Sequence, residues 1–146
     1  MFKNILIPTD GSELSQRAVR SGVELAKLHQ ARITGIHVIP DYHLLIAYEG
    51  AFDPVTEERI EEEARTRADA YLAFVRTIAQ EASVPCDTVC ETGDHPHAAI
   101  LKAADTRKCD LIVMTSHGRK GLAAMLLGSE TRKVLTHARI PVLVVR

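Results

Sequence analysis

Net charge is nearly absent: 18 lysines and arginines stand against 19 aspartates and glutamates in 146 residues, a formal charge of −1. Such a balance gives no general attraction to nucleic acid or to an anionic membrane surface. Long apolar runs are missing too, and none approaches the roughly 20 residues that a membrane span needs. Met1-Phe2-Lys3-Asn4 leads straight into a strand-like run, without the small-residue cleavage site of a secretory leader. The three cysteines, Cys86, Cys90 and Cys109, are odd in number and scattered, which is not a disulfide framework. Cys86 and Cys90 stand four apart in a strand-like stretch, so they share a face and read as two small buried hydrophobes rather than a metal pair. Together these features predict a cytoplasmic protein in a reducing setting, with no membrane and no nucleic-acid partner.

Familiar catalytic signatures are also lacking. There is no G-x-S-x-G elbow. There is no full G-x4-G-K-[S/T] loop, so P-loop chemistry would be without its phosphate lysine. Ser116 and His117 are adjacent, and chain neighbours rarely face each other as a nucleophile and base must. Asp10 lacks the aspartate cluster that a phosphoacceptor site requires. His95 and His97 make a His-x-His pair in a turn, but no third ligand can be placed from sequence, and they read as surface histidines. No catalytic residue and no protein-only metal site is assigned.

What is present is a regular alternation. Ile5-Leu6-Ile7 is a short continuous apolar run, as expected of a central parallel strand covered on both faces. Leu14, Ala18, Gly22, Leu25 and Ala26 recur at helical spacing, which predicts a helix over about 13–30 with Ser12 as its N-cap. Arg32 to Ile39 reads as the second strand. The stripe Ile60, Ala64, Ala68, Leu72, Val75 and Ala79 predicts a long helix over about 56–82, with a solvated charged face. Cys86 to Glu91 is the third strand, and Pro96 starts a helix carrying Ile100, Leu101 and Ala104. Leu111 to Met114 is the fourth strand. Ser129 to His137 is the last helix, with Val134, Leu135 and Ala138 on one face. Ile140 to Val145 is the last strand, and Pro141 marks it as an edge strand. Five strands alternating with four helices predict one domain over 1–146: an α/β, Rossmann-like or flavodoxin-like open sheet of five parallel strands with helices on both faces. The segment from Pro40 to Pro54, with Tyr42, His43, Tyr48, Gly50 and Phe52, is long for a connector and reads either as a lid or as a surface flap.

Two stretches carry polar chemistry. Thr115 to Ser129, T-S-H-G-R-K-G-L-A-A-M-L-L-G-S, follows a buried strand and precedes a helix. Glycines let main chain approach an anion closely, and free N–H groups at a helix start point toward it. Arg119 and Lys120 add positive charge to the same loop. An ordinary connector with an N-cap serine is the alternative. Asp10 ends the first strand, the place where open α/β sheets hold ligands. Its carboxylate either meets a ribose hydroxyl or a phosphate-bound metal ion, or bonds only to turn amides.

Gly118, nine residues, then Gly128-Ser129 resembles the later part of the G-x2-G-x9-G-[S/T] signature of the ATP-binding universal stress proteins. The opening F-K-N-I-L-I-P-T-D-G-S, the His37-Val38 pair and the closing H-A-R-I-P-V-L-V-V are similar to that family as well. Thr115 stands where the signature has its first glycine. The resemblance implies a regulatory stress-response module that binds ATP or another adenine nucleotide with Mg2+ or Mn2+ and hydrolyses it slowly if at all. It implies nucleotide contacts from Pro8, Thr9, Asp10, Val38, Met114, Thr115, Gly118, Arg119, Gly128, Ser129, Glu130 and Thr131. Among these, Val38 falls on the adenine side, and the main chain at Gly118, Arg119, Ser129 and Glu130 falls on the phosphates. The divalent ion is expected through the phosphates and Asp10. The resemblance further implies a homodimer through strand 140–145. One branch of the family is a nucleotide-free dimeric adaptor, and Thr115 keeps that reading open. A slow ATPase with His117 or Asp10 orienting water is the other.

Overall fold

The structure, a computed structural model, describes residues 1–42, 54–118 and 127–146, with main chain alone at 54 and 55. Among these residues five strands and four helices alternate: β1 (Asn4–Pro8), α1 (Glu13–His29), β2 (Arg32–Ile39), α2 (Pro54–Glu81), β3 (Cys86–Thr92), α3 (Pro96–Thr106), β4 (Leu111–Thr115), α4 (Ser129–His137) and β5 (Val142–Val145). The strands form one parallel sheet in the order β3-β2-β1-β4-β5. The reversal of strand order between β1 and β4 places a topological switch point at their carboxyl ends.

The apolar strand runs bury both faces of the sheet, as a parallel sheet demands. Ile5 and Ile7 of β1 and Leu111 and Val113 of β4 point one way, into a core with Val19 and Val23 of α1 and Val75 and Ala79 of α2. Leu6, Ile112 and Met114 point the other way, against Ile100, Ala103 and Ala104 of α3 and Val134 of α4. Side-chain alternation along each strand thus divides one sheet between two helical layers.

Helix ends follow local chemistry. Ser12 caps α1, its hydroxyl accepting from the Ser15 amide at 3.2 Å, and Gln30 closes the helix in the left-handed region. Asn4 is buried at the amino end of the sheet and fully engaged. Its amide nitrogen donates to the Arg107 carbonyl at 2.8 Å and its oxygen accepts from Thr34 at 3.0 Å.

Three expectations change. Cys86 is half-buried and Cys90 exposed, because β3 is the far edge of the sheet and among the described residues no strand pairs with its outer side. Leu135 is 39% exposed, since the nine-residue α4 packs through Thr131, Val134 and Ala138, leaving its neighbour outside. The last strand begins at Val142, and Pro141 precedes it, giving only its carbonyl to the Ile112 amide at 3.0 Å. The segment 43–53, with His43, Tyr48, Gly50 and Phe52, lies outside the described residues, as do Arg119 and Lys120.

Candidate functional site

The turn after β1 is built by its own side chains. Thr9 is buried; its amide bonds to the Ile36 carbonyl of β2, and its hydroxyl meets Ser15 Oγ at 3.1 Å and accepts from the Gly11 amide at 3.2 Å. His37 Nδ1 donates to the Thr9 carbonyl at 2.8 Å, and the His37 ring packs edge-on to Tyr71 of α2 at 5.2 Å. Gly11 has a left-handed φ of 75°, and a β-carbon there would sit 2.2 Å from the Tyr71 ring. Asp10 Oδ1 accepts from the Ser12 amide at 3.0 Å, an Asx turn that fixes the carboxylate at the end of β1. Its Oδ2 faces Gly118, where an added β-carbon would lie 2.8 Å away.

The turn after β4 faces it across the switch point. The Ser116 amide continues the pairing to Val145. Thr115 is buried, and its hydroxyl donates to the His117 carbonyl at 2.5 Å, so it is turned onto its own loop. The Gly128 amide donates to the Ser116 carbonyl at 2.6 Å. A β-carbon at Gly128 would come within 3.2 Å of that carbonyl oxygen, a tight approach that a side chain could take only if the main chain gave by a few tenths of an ångström. Thr131 Oγ1 donates to the Thr115 carbonyl at 2.9 Å and locks α4 against β4.

The N-cap of α4 is Gly128, not Ser129, and among the described residues no side chain caps this helix. Ser129, Glu130 and Thr131 form its first turn, whose amides have no acceptor within the helix itself. An uncapped helix start at a switch point, beside glycine-lined main chain, has the donor set and the partial positive charge that suit an anion. The fit rests on these features: the close approaches at Gly118 and Gly128, and the first turn of α4 with no side-chain cap among the described residues.

Of the residues expected at the site, Pro8, Thr9, Asp10, Thr115, Gly118, Gly128, Ser129, Glu130 and Thr131 gather at the carboxyl ends of β1 and β4. Val38 lies one strand away on β2 with its side chain partly buried against the second core, and the side chain of Met114 lies within that core. Arg119 is outside the described residues. A cavity of about 200 Å³ opens at the same end of the sheet beyond Val38, lined by Ile39, Asp41, Tyr42, Glu61, Arg65 and Thr92 among others.

One arrangement departs from the sequence reading. Ser116 Oγ and His117 Nδ1 do bond, at 2.9 Å, because the turn after β4 folds the ring back over the preceding side chain; Ser116 is nevertheless 3% exposed, closed to a substrate. The side chain of Glu130 turns away from the anion cradle. Its Oε2 accepts from both the amide and Nδ1 of His97, at 2.8 and 2.9 Å, and its Oε1 accepts from Lys133 at 2.9 Å. Glu130 therefore caps α3, whose own N-cap residue His95 makes no side-chain capping bond. Burial raises its pKa, but the hydrogen bonds from Lys133 and His97 outweigh that and hold it below the ordinary carboxylate value. Sequence reasoning also missed Tyr71 and Ser15. The second had a signal in its place three residues after the capping Ser12; the first had only an aromatic ring beside the apolar stripe of α2.

The sequence matches the universal stress protein family model over residues 1–146. A universal stress protein of Thermus aquaticus is 35% identical over 149 residues, covering all of both chains. One of Methanocaldococcus jannaschii is 34% identical over 147 residues, covering all of this chain and 83% of that protein. The solved universal stress protein UspA of Lactobacillus plantarum superimposes with a TM-score of 0.80 at 27% identity, over 99% of this chain and 97% of that one. More distant structures of the same fold include a universal stress protein in complex with cAMP, at 24% identity and a TM-score of 0.73. Another, from Archaeoglobus fulgidus, is in complex with dAMP, at 19% identity and a TM-score of 0.72. The chain belongs to the universal stress protein family.

Proposed function

We propose that this protein is an adenine-nucleotide-binding regulatory module whose site is the switch point between β1 and β4. Phosphate oxygens would lie on the main-chain amides at Gly118, Arg119, Ser129 and Glu130 and on the Ser129 hydroxyl. Asp10 and Val38 would lie toward the ribose and the adenine. A divalent ion such as Mg2+ or Mn2+, shared with the phosphates, would neutralise charge beside the Asp10 carboxylate. The observation that carries the reading is the start of α4: its N-cap is Gly128, with no side-chain cap among the described residues, while Asp10 faces Gly118 on the same loop. The cAMP and dAMP complexes of family members support the ligand class. ATP is the member of that class that the loop signature favours.

Thr115 does not stand against this. Its hydroxyl is spent on the His117 carbonyl and its side chain is buried, so it supports a filled, stable loop base rather than a blocked cleft. The nucleotide-free adaptor stays the second reading, and the same calorimetry separates the two. Hydrolysis is the weaker extension, since His117 Nδ1 is engaged with Ser116. Calorimetry with ATP and Mg2+ on nucleotide-stripped protein tests the proposal, with GTP as the comparison. Saturable binding of ATP at micromolar concentrations is expected; an absence of binding up to millimolar ATP removes it.

A further inference from the structure

His97 is oriented in the way that metal-ligating histidines are. A carboxylate only accepts hydrogen bonds, so the 2.9 Å contact to Glu130 Oε2 places the proton of the neutral ring on Nδ1 and leaves the Nε2 lone pair open. A carboxylate that fixes the tautomer of an imidazole is the usual support behind a metal ligand. Glu130 is itself held by Lys133 and by the His97 amide, so the orientation is rigid.

Two further imidazoles flank this ring. His95 lies 5.9 Å from it, centroid to centroid, and His137, at the far end of α4, lies 6.5 Å from it. Spacing alone pairs His95 with His97; only the packing of α3 on α4 adds His137. With the side chains as they stand, no group of three or more ligating residues among the described residues converges on one point. Each flanking ring would have to close on His97 by roughly 1–1.5 Å. Metal–nitrogen bonds of about 2.0–2.1 Å at a tetrahedral angle set two ring centroids about 5 Å apart. His95 and His137 are exposed, and ring contacts with His97 are the side-chain interactions found for them.

We propose that His95, His97 and His137 form a surface site for zinc or a similar imidazole-preferring divalent ion, with Glu130 orienting His97 from behind. Three neutral nitrogens and an open fourth position are a donor set that zinc accepts. An ion there ties the start of α3 to the end of α4. The site shares Glu130 with the phosphate cradle, its side chain serving the histidine and its amide the phosphates, and its test needs no nucleotide.

The experiment uses the full chain without a histidine tag, stripped with a chelator. Zinc is titrated by calorimetry, and Co2+ by its visible absorption. One ion per chain at micromolar concentration is expected. His95→Ala and His137→Ala, both at exposed positions, should each weaken zinc roughly tenfold or more, and Glu130→Gln roughly 10–100-fold. Circular dichroism checks that each variant is folded. The site is overturned if wild-type protein shows no saturable binding up to millimolar zinc, or if either His95→Ala or His137→Ala leaves the affinity unchanged, which would place the ion elsewhere.

Discussion

Gly11 and Gly118 set the walls of the site by what they lack. At Gly11 the φ of 75° already disfavours any side chain, and Tyr71 occupies the space that a β-carbon would need. Gly11→Ala should therefore cost about 1–2 kcal/mol for the left-handed backbone alone, with a further loss from the displaced ring. Urea unfolding of Gly11→Ala, Tyr71→Ala and the double variant separates these parts. Recovery of some stability in the double variant, relative to the sum of the singles, is the signature of the clash, and strict additivity would argue against it. Gly118 is different, being exposed and outside any element. Gly118→Ala places a methyl 2.8 Å from Asp10 Oδ2, inside van der Waals contact, so either the carboxylate or the loop must shift. Nucleotide affinity should fall about tenfold while the melting temperature stays within a few degrees, because the cost falls on the main chain that meets phosphate. Equal affinity in the variant would separate Gly118 from the site. Glycine spacing was readable in the sequence at this scale. The direction taken by Thr9, Thr115 and Glu130 was not, since a hydroxyl or carboxylate chooses among partners that only the folded chain brings near.

Helices and strands were legible where one local signal decided them. Ser12 announced α1, and the apolar stripe of α2 from Ala64 to Ala79 is buried as its spacing requires. Leu135 and Cys90 were misplaced because burial depends on what covers an element: α4 is covered along one narrow line, and β3 is an edge strand of the sheet. The joint between α3 and α4 was not legible at all, since Glu130 and His97 are 33 residues apart. It makes a prediction about acid. The Glu130 carboxyl has its pKa lowered in the folded chain, so its contribution to stability is fully present above the unfolded carboxylate value, near 4.3. That contribution is lost as pH falls below this value and through the lower folded one. Glu130→Gln should be less stable than wild type at pH 7, by about 1 kcal/mol given partial exposure, and the gap should be narrower at an acid pH below the ordinary carboxylate value. Urea midpoints at the two pH values measure this. A gap that persists undiminished in acid would mean that shape, not charge, joins the helices.

At the level of the whole molecule, the alternation of apolar strands and amphipathic helices was enough to predict a parallel five-stranded sheet with two helical layers. The order β3-β2-β1-β4-β5 was not readable from the residues, because parallel pairing joins segments far apart in sequence through main-chain bonds that carry no residue code. Once the order is known, β5 stands at an edge with a distinct chemistry. The Ile112 amide bonds to the Pro141 carbonyl and the Ser116 amide to the Val145 carbonyl. Odd-numbered residues of β5 therefore turn their main chain to β4, and Val142 and Val144 turn theirs outward. An apolar edge with an open row of donors and acceptors is a template for another strand, and Leu143, 43% exposed, adds apolar surface beside it. A second copy of the chain meeting β5 against β5 would satisfy both rows at once. Val144→Pro removes an outward-facing donor without touching the bonds to β4, and Leu143→Glu adds like charges across a two-fold contact. Sedimentation at tens of micromolar should give twice the chain mass for wild type and a shift toward single chains for both variants, with unchanged circular dichroism. A wild type that sediments as single chains would leave the edge unpaired in solution, and variants that remain double would move the contact to another face.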